Sequence, residues 1–347
     1  MKILYSLSGQ GFGHSTRSKE IIRHLISKGH QLKIMTYGQA FLLLGEEFDT
    51  LEIPGLTLSY KYNELDYFRT IYNNIINAKK LLYQFLSIYK KIKEFNPDLI
   101  ITDFEPLSAL IAKLLKKPLI SIDNQHQLTH TKIEIPFKYK KELLITKLII
   151  NLMTWGANKY LITSFFKTIP KNKKTIVLPP VIRQEVINLN SYYGDYLLIY
   201  EGAELSKILP ILKESGLKCV VFGPHKEGQE GNITFKSFNV DDWLKYLEGA
   251  KAVIATGGAS LISECVYLKK PYLVLPIKKQ LEQIINALYL KKLGYGDCSL
   301  GLTKGIFNNF INQLPYYIEI LKLAPQAGNE EVFKKLDEII EDIKKNS

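Results

Sequence analysis

The chain has 347 residues, of which 46% are hydrophobic and 23% are charged, proportions that are ordinary for a globular protein and argue against a disordered one. This length is long for a single core and predicts two domains. Its 46 basic and 34 acidic residues give a net charge of +12, which favours anionic partners such as sugar nucleotides, acidic lipid or nucleic acid.

The chain begins with a predicted strand–turn–helix–strand unit. Its elements are, in order, a strand over 2–7, a glycine turn over 9–14, a helix over 16–28 and a strand over 31–37. Such a start is typical of dinucleotide-binding domains, but the glycines are spaced G-x-G-x-G and no acidic residue ends the second strand. We therefore expect no NAD site. The first strand begins directly, without a signal-peptide pattern before it.

A long amphipathic helix follows, in basic and aromatic surroundings. Its apolar positions alternate at spacings of four and three: Ile71, Ile75, Ala78, Leu82, Phe85, Tyr89 and Ile92. Such a stripe usually faces a core, so we expect it to pack on the sheet, with the flanking lysines in solvent. The alternative is a membrane-contacting face, which a second basic and aromatic patch over 135–141 and the apolar run after it also favour.

Polar residues end the next two predicted strands, 99–102 and 118–122. These residues are Asp103, Glu105, Asp123 and His126. Ligands of open parallel sheets bind beyond the carboxyl ends of the strands, so all four are candidates for a site. Either aspartate could orient and stabilise His14 or His126, or could itself be a general base. A structural role also stays open for Asp123, which can close a turn.

The second half of the chain repeats the alternation of strands and helices. Polar, turn-rich residues over 188–194 interrupt this alternation and predict a linker. We therefore predict two domains, 1–187 and 195–347, each an α/β domain with a doubly wound parallel sheet. A final amphipathic helix is predicted over 330–345.

The most informative stretch is a strand, a glycine turn and a helix over 252–268. The turn contains Gly257 and Gly258, which let the backbone come close to a ligand, and the helix start presents unpaired N–H groups to an anion. Glu264 lies too deep in the helix to cap it. Beside a phosphate, its carboxylate would repel a second anion and is better suited to bind a sugar hydroxyl. By itself, such a turn could be structural only.

The residues after this turn extend the pattern. Pro271 and Pro276 follow, and Glu282-Gln283-Ile284-Ile285-Asn286-Ala287 begins another helix. The arrangement over 256–287 resembles the donor-binding signature of the UDP-glycosyltransferase superfamily, which includes the peptidoglycan N-acetylglucosaminyltransferase. The resemblance implies the GT-B architecture, in which two doubly wound domains face a cleft and the last helix crosses back to the first domain.

This resemblance assigns roles on the donor side. It implies that Glu264 binds ribose hydroxyls, that the turn binds the diphosphate, and that Glu282 and Gln283 lie near the donor sugar. The donor-binding residues implied are Arg183, Gly202, Gly257, Gly258, Ser260, Glu264, Glu282 and Gln283. Two positions depart from the pattern, since Leu261 stands where many members have Ser or Thr and Lys270 replaces the usual Gly.

The first glycine turn, over 8–17, is similar to the acceptor-facing loop of the same superfamily. In many members its histidine is the general base, a task that suits a side chain able to take a proton near neutral pH. His14 could instead only hydrogen-bond the turn. The catalytic candidates are His14, Asp103, Asp123 and His126. The residues implied on the acceptor side are Gly11, Gly13, Arg17 and Glu105.

The resemblance predicts an inverting glycosyltransferase that moves a sugar from a UDP-sugar to a glycan or lipid-linked acceptor. We expect no cofactor and no metal, because helix N-termini and Arg183 can neutralise the leaving diphosphate. Two alternatives stay open: a sugar-nucleotide epimerase or hydrolase with carboxylate acids and bases, and a non-catalytic lipid- or nucleotide-binding module.

The expected partners and location follow from the same residues. No nucleic-acid motif is present, so we expect no nucleic acid partner, whereas an anionic membrane surface is a further candidate. The three cysteines lack metal-like spacing and fit a reducing, cytoplasmic compartment. We expect a cytoplasmic protein that is soluble or peripheral on the inner face of a membrane.

Overall fold

The computed structural model describes residues 1–61, 64–200, 205–223, 226–326 and 328–345. Its contacts divide the chain into two units. The first comprises Met1–Ser59, Asp66–Arg183 and Gly328–Ser347, and the second comprises Tyr60–Leu65 and Gln184–Ala327. The predicted linker lies just after the start of the second unit. The C-terminal helix joins the first unit, and a short hairpin from the first half of the sequence joins the second.

The first unit is built around one parallel sheet. Its elements are β1 (Lys2–Leu7), α1 (Phe12–Ser27), β2 (Gln31–Thr36), α2 (Gly38–Leu44), β3 (Thr50–Glu52), then, after the hairpin strands β4 (Tyr60–Lys61) and β5 (Glu64–Leu65), α3 (Tyr67–Phe95), β6 (Leu99–Asp103), α4 (Pro106–Leu115), β7 (Leu119–Asp123), α5 (Gln127–His130), β8 (Thr131–Lys132), a 3₁₀ turn (Phe137–Tyr139), α6 (Lys140–Met153), β9 (Lys159–Thr163), β10 (Ile169–Pro170) and β11 (Thr175–Leu178). Among the described residues, seven of these strands form the sheet in the order β11-β9-β7-β6-β1-β2-β3. Every pairing in it is parallel.

Helices cover this sheet, which is why its strands are apolar runs rather than alternating patterns. All five residues of β6 are buried. One core cluster joins the sheet to α1 through Ile21 and to the C-terminal helix through Leu336. Another joins it to the end of α3 through Ile92 and to α4 through Ile111. Both helix layers therefore hold β1 and β6 in the interior, with only their carboxyl ends available to build a site.

The predicted inward apolar stripe of α3 is wrong for the first half of the helix. Ile71 and Leu82 are 61% and 78% exposed, whereas Ile88 and Ile92, near the C-terminal end, are buried. The inward face of the first half is polar instead. Asn74 exchanges two hydrogen bonds of 2.8 and 3.0 Å with the backbone of the neighbouring segment 55–59. Apolar side chains on this part of the helix consequently point outward.

The second unit is a parallel sheet with one antiparallel edge strand. Its elements are α7 (Gln184–Ile187), β12 (Tyr196–Tyr200), α8 (Leu205–Ser215), β13 (Lys218–Phe222), β14 (Gly228–Glu230), β15 (Ile233–Lys236), α9 (Val240–Gly249), β16 (Ala252–Ala255), α10 (Ala259–Tyr267), β17 (Tyr272–Val274), α11 (Leu281–Lys292), β18 (Gly296–Cys298), α12 (Lys304–Asn312) and α13 (Leu314–Lys322); the last helix of the chain, α14 (Glu330–Lys345), returns to the first unit. For the described residues the strand order is β14-β15-β13-β12-β16-β17-β18. Strands β12 and β16 lie at its centre and place their carboxyl ends side by side.

A buried lysine fixes the predicted linker 188–194 to this second unit. The Lys270 ammonium donates to the backbone oxygens of Tyr192 and Glu248, and lies 5.1 Å from the Tyr193 ring centroid. Burial lowers the pKa of the Lys270 amine to about 8. Lys270 therefore has a structural role: its side chain donates to the Tyr192 carbonyl oxygen and is a second donor to the Glu248 carbonyl oxygen, which also accepts from Tyr192 N at 3.0 Å.

We expect Lys270→Met to lower the free energy of unfolding by roughly 1–3 kcal/mol, because the hydrogen bonds from Lys270 to the Tyr192 and Glu248 carbonyl oxygens are lost. The pKa of Lys270 lies below that of a lysine in the unfolded chain, so the lysine's contribution is complete only above the unfolded-state pKa and is lost as the pH falls through about 8. Urea unfolding at pH 7 and pH 10 should show a larger gap between wild type and variant at pH 10. A gap independent of pH, or an equal loss in the exposed control Lys251→Met, would contradict this.

Candidate active site

The first glycine turn is held by close backbone packing. A Cβ on Gly9 would lie 1.7 Å from the Tyr37 carbonyl oxygen, and Gly11 has φ of 79°, a conformation that favours glycine. Gly11 is also the N-cap, so α1 begins at Phe12 and not at 16 as predicted. The earlier start places His14 in the first turn of the helix, at the carboxyl end of β1.

His14 and Asp103 form a close pair between α1 and the end of β6. His14 Nδ1 lies 2.7 Å from Asp103 Oδ1. The imidazole is 14% exposed and Asp103 is fully buried. A ring whose Nδ1–H donates to a carboxylate keeps the lone pair on Nε2, which is the arrangement that a general base needs. Of the catalytic candidates, these two are therefore brought together with suitable geometry.

Asp103 has further partners that hold it as an anion. Arg17 Nε donates to its Oδ2 at 2.7 Å, Arg17 Nη2 donates to its Oδ1, and Ser18 Oγ donates to Oδ2 at 3.0 Å. Burial alone would raise the pKa of Asp103, but the Arg17 guanidinium and His14 hold that pKa below its ordinary value. Arg17, predicted on the acceptor side, is itself buried and directed at this carboxylate.

Phe104, which sequence reasoning did not single out, connects Asp103 to Glu105 through a strained backbone. Its φ of 58° is in the left-handed region, where a bulky residue is an outlier, and such strain concentrates at functional sites. Its ring stacks 6.4 Å from the His14 ring. The tetrapeptide Asp-Phe-Glu-Pro signals the turn but not its φ, so the sequence could not reveal this conformation.

Glu105, predicted on the acceptor side, is the N-cap of α4. Its carboxylate accepts from the backbone N–H groups of Leu107 and Ser108, both at 2.8 Å. Burial raises the pKa of Glu105 to about 7, although both N–H groups oppose the shift. Both oxygens of the Glu105 carboxylate are therefore hydrogen-bonded within the first turn of α4. A contact between Glu105 and an acceptor stays a prediction.

Asp123 and His126 form a second pair that lies in the interior. Asp123 Oδ2 is 2.7 Å from His126 Nδ1, and Asp123 Oδ1 accepts from the His126 backbone N–H at 2.9 Å. Both side chains are buried, and His126 Nε2 faces the Thr154 carbonyl oxygen at 3.4 Å. Burial opposes ionisation of Asp123, but His126 holds its pKa below the ordinary value. This pair ties β7 to the end of α6, and the geometry favours His14 as the base.

In the second unit, the predicted glycine turn is clamped by the helix that follows it in the motif. Gln283 Oε1 accepts from the backbone N–H groups of Gly257 at 3.1 Å and Ile277 at 3.0 Å. Asn286 Nδ2 donates to the Gly257 carbonyl oxygen at 3.1 Å. A Cβ on Gly257 would lie 2.6 Å from the Gln283 backbone oxygen, so only glycine fits there. The Glu-Gln-x-x-Asn-Ala pattern thus fixes the shape of the turn.

The turn leads into the N-terminus of α10. Gly258 is the N-cap and makes no side-chain cap, and a Cβ there would have nothing within 4 Å. The space beside Gly258, at the start of α10, is therefore open, and helix N-termini are places where anions bind. Ser260 is half-buried in the first turn, Glu264 is buried one turn later, and Glu282 is half-buried at the start of α11.

For two further predicted donor residues, a donor role stays a prediction. Gly202 lies outside the described residues. Arg183 is half-buried at the end of the first unit, beyond β11. Its role towards a diphosphate stays a prediction.

An aromatic cluster near the turn was missed from the sequence. Tyr200 ends β12, and its ring centroid lies 5.4 Å from that of Phe238 and 5.3 Å from that of Trp243. A small pocket beside it is lined by Tyr200, Thr256 and Leu275, among others. Aromatic residues at two strand ends were the available signal. Flat rings beside an anion site suit a nucleobase.

A metal site requires a particular arrangement of His, Cys, Asp or Glu side chains. Within the described part of the chain, no three His, Cys, Asp or Glu side chains form a group that could hold a metal ion. Cys219 and Cys265 are buried, as predicted for small core residues, and burial raises the pKa of both thiols. The metal independence expected from the sequence stays a prediction.

A known protein family describes most of this chain. The family model for glycosyl transferase family 1 matches residues 1–315. The chain belongs to this family. The resemblance inferred from the donor motif is confirmed, and the protein is a glycosyltransferase.

Relatives of this family 1 glycosyltransferase span nearly its whole length. An uncharacterised glycosyltransferase of Methanosarcina acetivorans is 26% identical over 85% of each chain. A UDP-N-acetylglucosamine–N-acetylmuramyl-(pentapeptide) pyrophosphoryl-undecaprenol N-acetylglucosamine transferase of Bacillus cereus is 24% identical over 79% of this chain and 82% of its own. Among solved structures, the kitacinnamycin glycosyltransferase is 16% identical, with a TM-score of 0.70 over 97% of this chain and 98% of that chain.

At that identity, the likeness to a solved structure establishes the fold alone. The family 1 glycosyltransferase has the predicted GT-B fold, with two α/β units that each contain a parallel sheet. The donor motif lies wholly in the second unit, and the His14–Asp103 pair lies wholly in the first.

We expect Gly257→Ala to lower the free energy of unfolding by about 1–3 kcal/mol, because the added methyl group overlaps Gln283. Gly258→Ala is the matched control, since its methyl group enters open space and should change stability by less than about 0.5 kcal/mol. Urea unfolding of both variants measures the difference. Equal losses in the two variants would show that the clamp does not restrict the turn.

Proposed function

We propose that this family 1 glycosyltransferase takes a sugar from a UDP-sugar bound in its second unit and transfers it, with inversion, to a hydroxyl of a lipid-linked or envelope-glycan acceptor. The observation that carries the donor proposal is the clamped glycine turn, because it presents the N-terminus of α10 at a fixed position. The B. cereus relative supports the choice of donor and acceptor class, since its name specifies both.

Three features of the second unit bind different parts of the donor. The N-terminus of α10 receives the diphosphate, because its N–H groups and dipole favour an anion. Glu264 accepts hydrogen bonds from the ribose hydroxyls, and Glu282 and Gln283 face the donor sugar. The Tyr200 cluster receives the base. No divalent cation is needed, because the helix N-terminus and Arg183 stabilise the charge of the leaving diphosphate.

The first unit supplies the base. His14 Nε2 takes the proton of the acceptor hydroxyl while that oxygen forms a bond to the anomeric carbon. The bond from the anomeric carbon to the diphosphate oxygen breaks, and its electron pair leaves with UDP. Asp103 stabilises the imidazolium that results, from a distance of 2.7 Å.

We expect Glu264→Ala to weaken UDP binding by roughly 10- to 100-fold, because a carboxylate that accepts two hydroxyl groups contributes on the order of 1.5–3 kcal/mol. Isothermal titration in EDTA measures the change, and circular dichroism checks that the variant is folded. Glu264→Gln should lose less, and the exposed Glu319→Ala should lose nothing. Unchanged affinity would remove Glu264 from the site, and wild-type binding that needs magnesium would contradict the metal-free proposal.

The acceptor proposal depends on an outward apolar and basic surface of the first unit, here called the α3–α6 surface. On α6, the leucines at 144, 148 and 152 share one face and are all exposed. Lys138 and Lys140 lie over the rings of Tyr139 and Phe137, at 4.9 and 4.2 Å from the centroids. The outward apolar residues of α3, such as Ile71 and Leu82, form a second exposed patch of the first unit, and the name α3–α6 surface covers both patches.

This composition favours the surface of an anionic bilayer as the partner. Apolar side chains enter the headgroup region, and each nearby lysine contributes about 1 kcal/mol towards acidic lipid. In the described ranges, no helix is long and apolar enough to cross a bilayer. We propose that the α3–α6 surface holds the enzyme where a lipid-linked acceptor is available.

We expect the enzyme to co-sediment with liposomes containing acidic lipid at low salt, and Lys138→Glu with Lys141→Glu to reduce the bound fraction several-fold, because two attractive charges become repulsive. The matched control carries Lys245→Glu and Lys251→Glu, which make the same charge change in the second unit. Leu148→Ser should also weaken binding. If wild type stays in solution, or if both charge variants bind equally, a soluble acceptor takes the place of the lipid-linked one.

A further inference from the structure

Arg17 is the group at the His14–Asp103 pair that the reaction described above does not use. It lies one helical turn after His14 on α1 and is 6% exposed. Its guanidinium donates two hydrogen bonds to the Asp103 carboxylate, and Nη1 donates to Asn124 Oδ1 at 3.3 Å. A guanidinium so enclosed is not placed to bind a substrate phosphate or carboxylate.

The Arg17 guanidinium also lies close to the His14 imidazole. Arg17 Nη2 lies 2.8 Å from His14 Nδ1, the same atom that faces Asp103 Oδ1 at 2.7 Å. The ring nitrogen therefore has an acceptor and a cationic donor at nearly equal distances. Asp103 favours a second proton on the ring, whereas a fixed positive charge at 2.8 Å opposes it.

The charges around this ring come from four elements. Arg17 on α1 and Asp103 on β6 contact the ring directly, and Asp123 on β7 and the neutral phenol of Tyr5 on β1 act on the Arg17 guanidinium. Burial opposes the charge of Arg17, but Asp103 dominates and raises the pKa of the guanidinium above its ordinary value, so the residue is a permanent cation. The Arg17–Asp103 pair is then neutral overall, and a proton on His14 adds a net positive charge to a mostly buried site.

We propose that Arg17 is a positioning residue that keeps His14 able to accept a proton. It holds Asp103 as a fixed anion, so that His14 Nδ1–H donates to it, and its own positive charge offsets that anion, so that Asp103 does not by itself draw a second proton onto the imidazole. This proposal rests on the proposed role of His14 as base, but it concerns the free enzyme and needs no substrate.

Nitrogen-15 NMR of histidine-labelled full-length protein tests the proposal without donor or acceptor. The ring signals of His14, assigned with His14→Gln, follow its protonation as the pH is varied. In Arg17→Met we expect the midpoint of this protonation to move to higher pH by about one unit or more, a tenfold or greater gain in proton affinity. Arg23→Met, on the same helix and exposed, is the matched control and should leave the midpoint unchanged. An unchanged or lower midpoint in Arg17→Met would overturn the proposal and leave Arg17 a purely structural residue.

Removal of Arg17 alone leaves Asp103 buried without its main counter-charge, which can prevent folding. A second pair of variants covers that outcome. Asp103→Asn, in which Arg17 keeps the Asn124 Oδ1 contact and the nearby negative charge of Asp123, is compared with Asp103→Asn combined with Arg17→Met, which removes both charges of the pair. The midpoint is expected to be higher in the combined variant, and equal midpoints would overturn the proposal. Because neither comparison involves a nucleotide, the result stands even if UDP-sugar proves to be the wrong donor.

Discussion

A buried carboxylate can exist in a protein interior only if other groups replace the water it has lost, and the site of the first unit is arranged around that requirement at Asp103. Its partners come from two turns of α1, namely His14, Arg17 and Ser18. The backbone oxygen of Asp103 also accepts from Ser8 N at 2.9 Å, at the end of β1. A single residue, through its side chain and its backbone oxygen, thus fixes the glycine turn, the start of the helix and the histidine relative to one another.

Much of the fold could be predicted because its local sequence patterns match the burial that tertiary packing imposes on each element. The strands are buried on both faces, so continuous apolar runs such as Leu99–Asp103 identified them. Prediction failed where an element's inward face is polar. Periodicity shows that α3 is amphipathic but not which side faces the protein, and the asparagines that mark its inner face resemble solvent-exposed residues in a sequence.

In the candidate site, too, some residues could be suggested from the sequence and some features could not. The contiguous motif made Gly257 and Glu264 candidates, and the family resemblance added Gln283 and His14. Asp103 became a candidate because it ends a strand. The roles of all five stay predictions. Sequence patterns could not separate Asp103 from Asp123, since both follow a buried strand and both face a histidine. The difference is three-dimensional: His14 reaches the surface and His126 does not. The left-handed backbone at Phe104 likewise leaves no mark in residue type.

The polar inner face of α3 has a consequence for self-association. The segment 55–59 follows β3, the edge strand of the first sheet, and has three successive backbone N–H groups at Thr57, Leu58 and Ser59. Each of these donates to a side-chain oxygen, from Asn74, Gln10 and Thr70 respectively. Side chains of the helix and of the glycine turn therefore occupy all three donors. A strand from another molecule finds none of these N–H groups available, so the segment that leaves the edge strand does not offer them as a template for edge-to-edge aggregation.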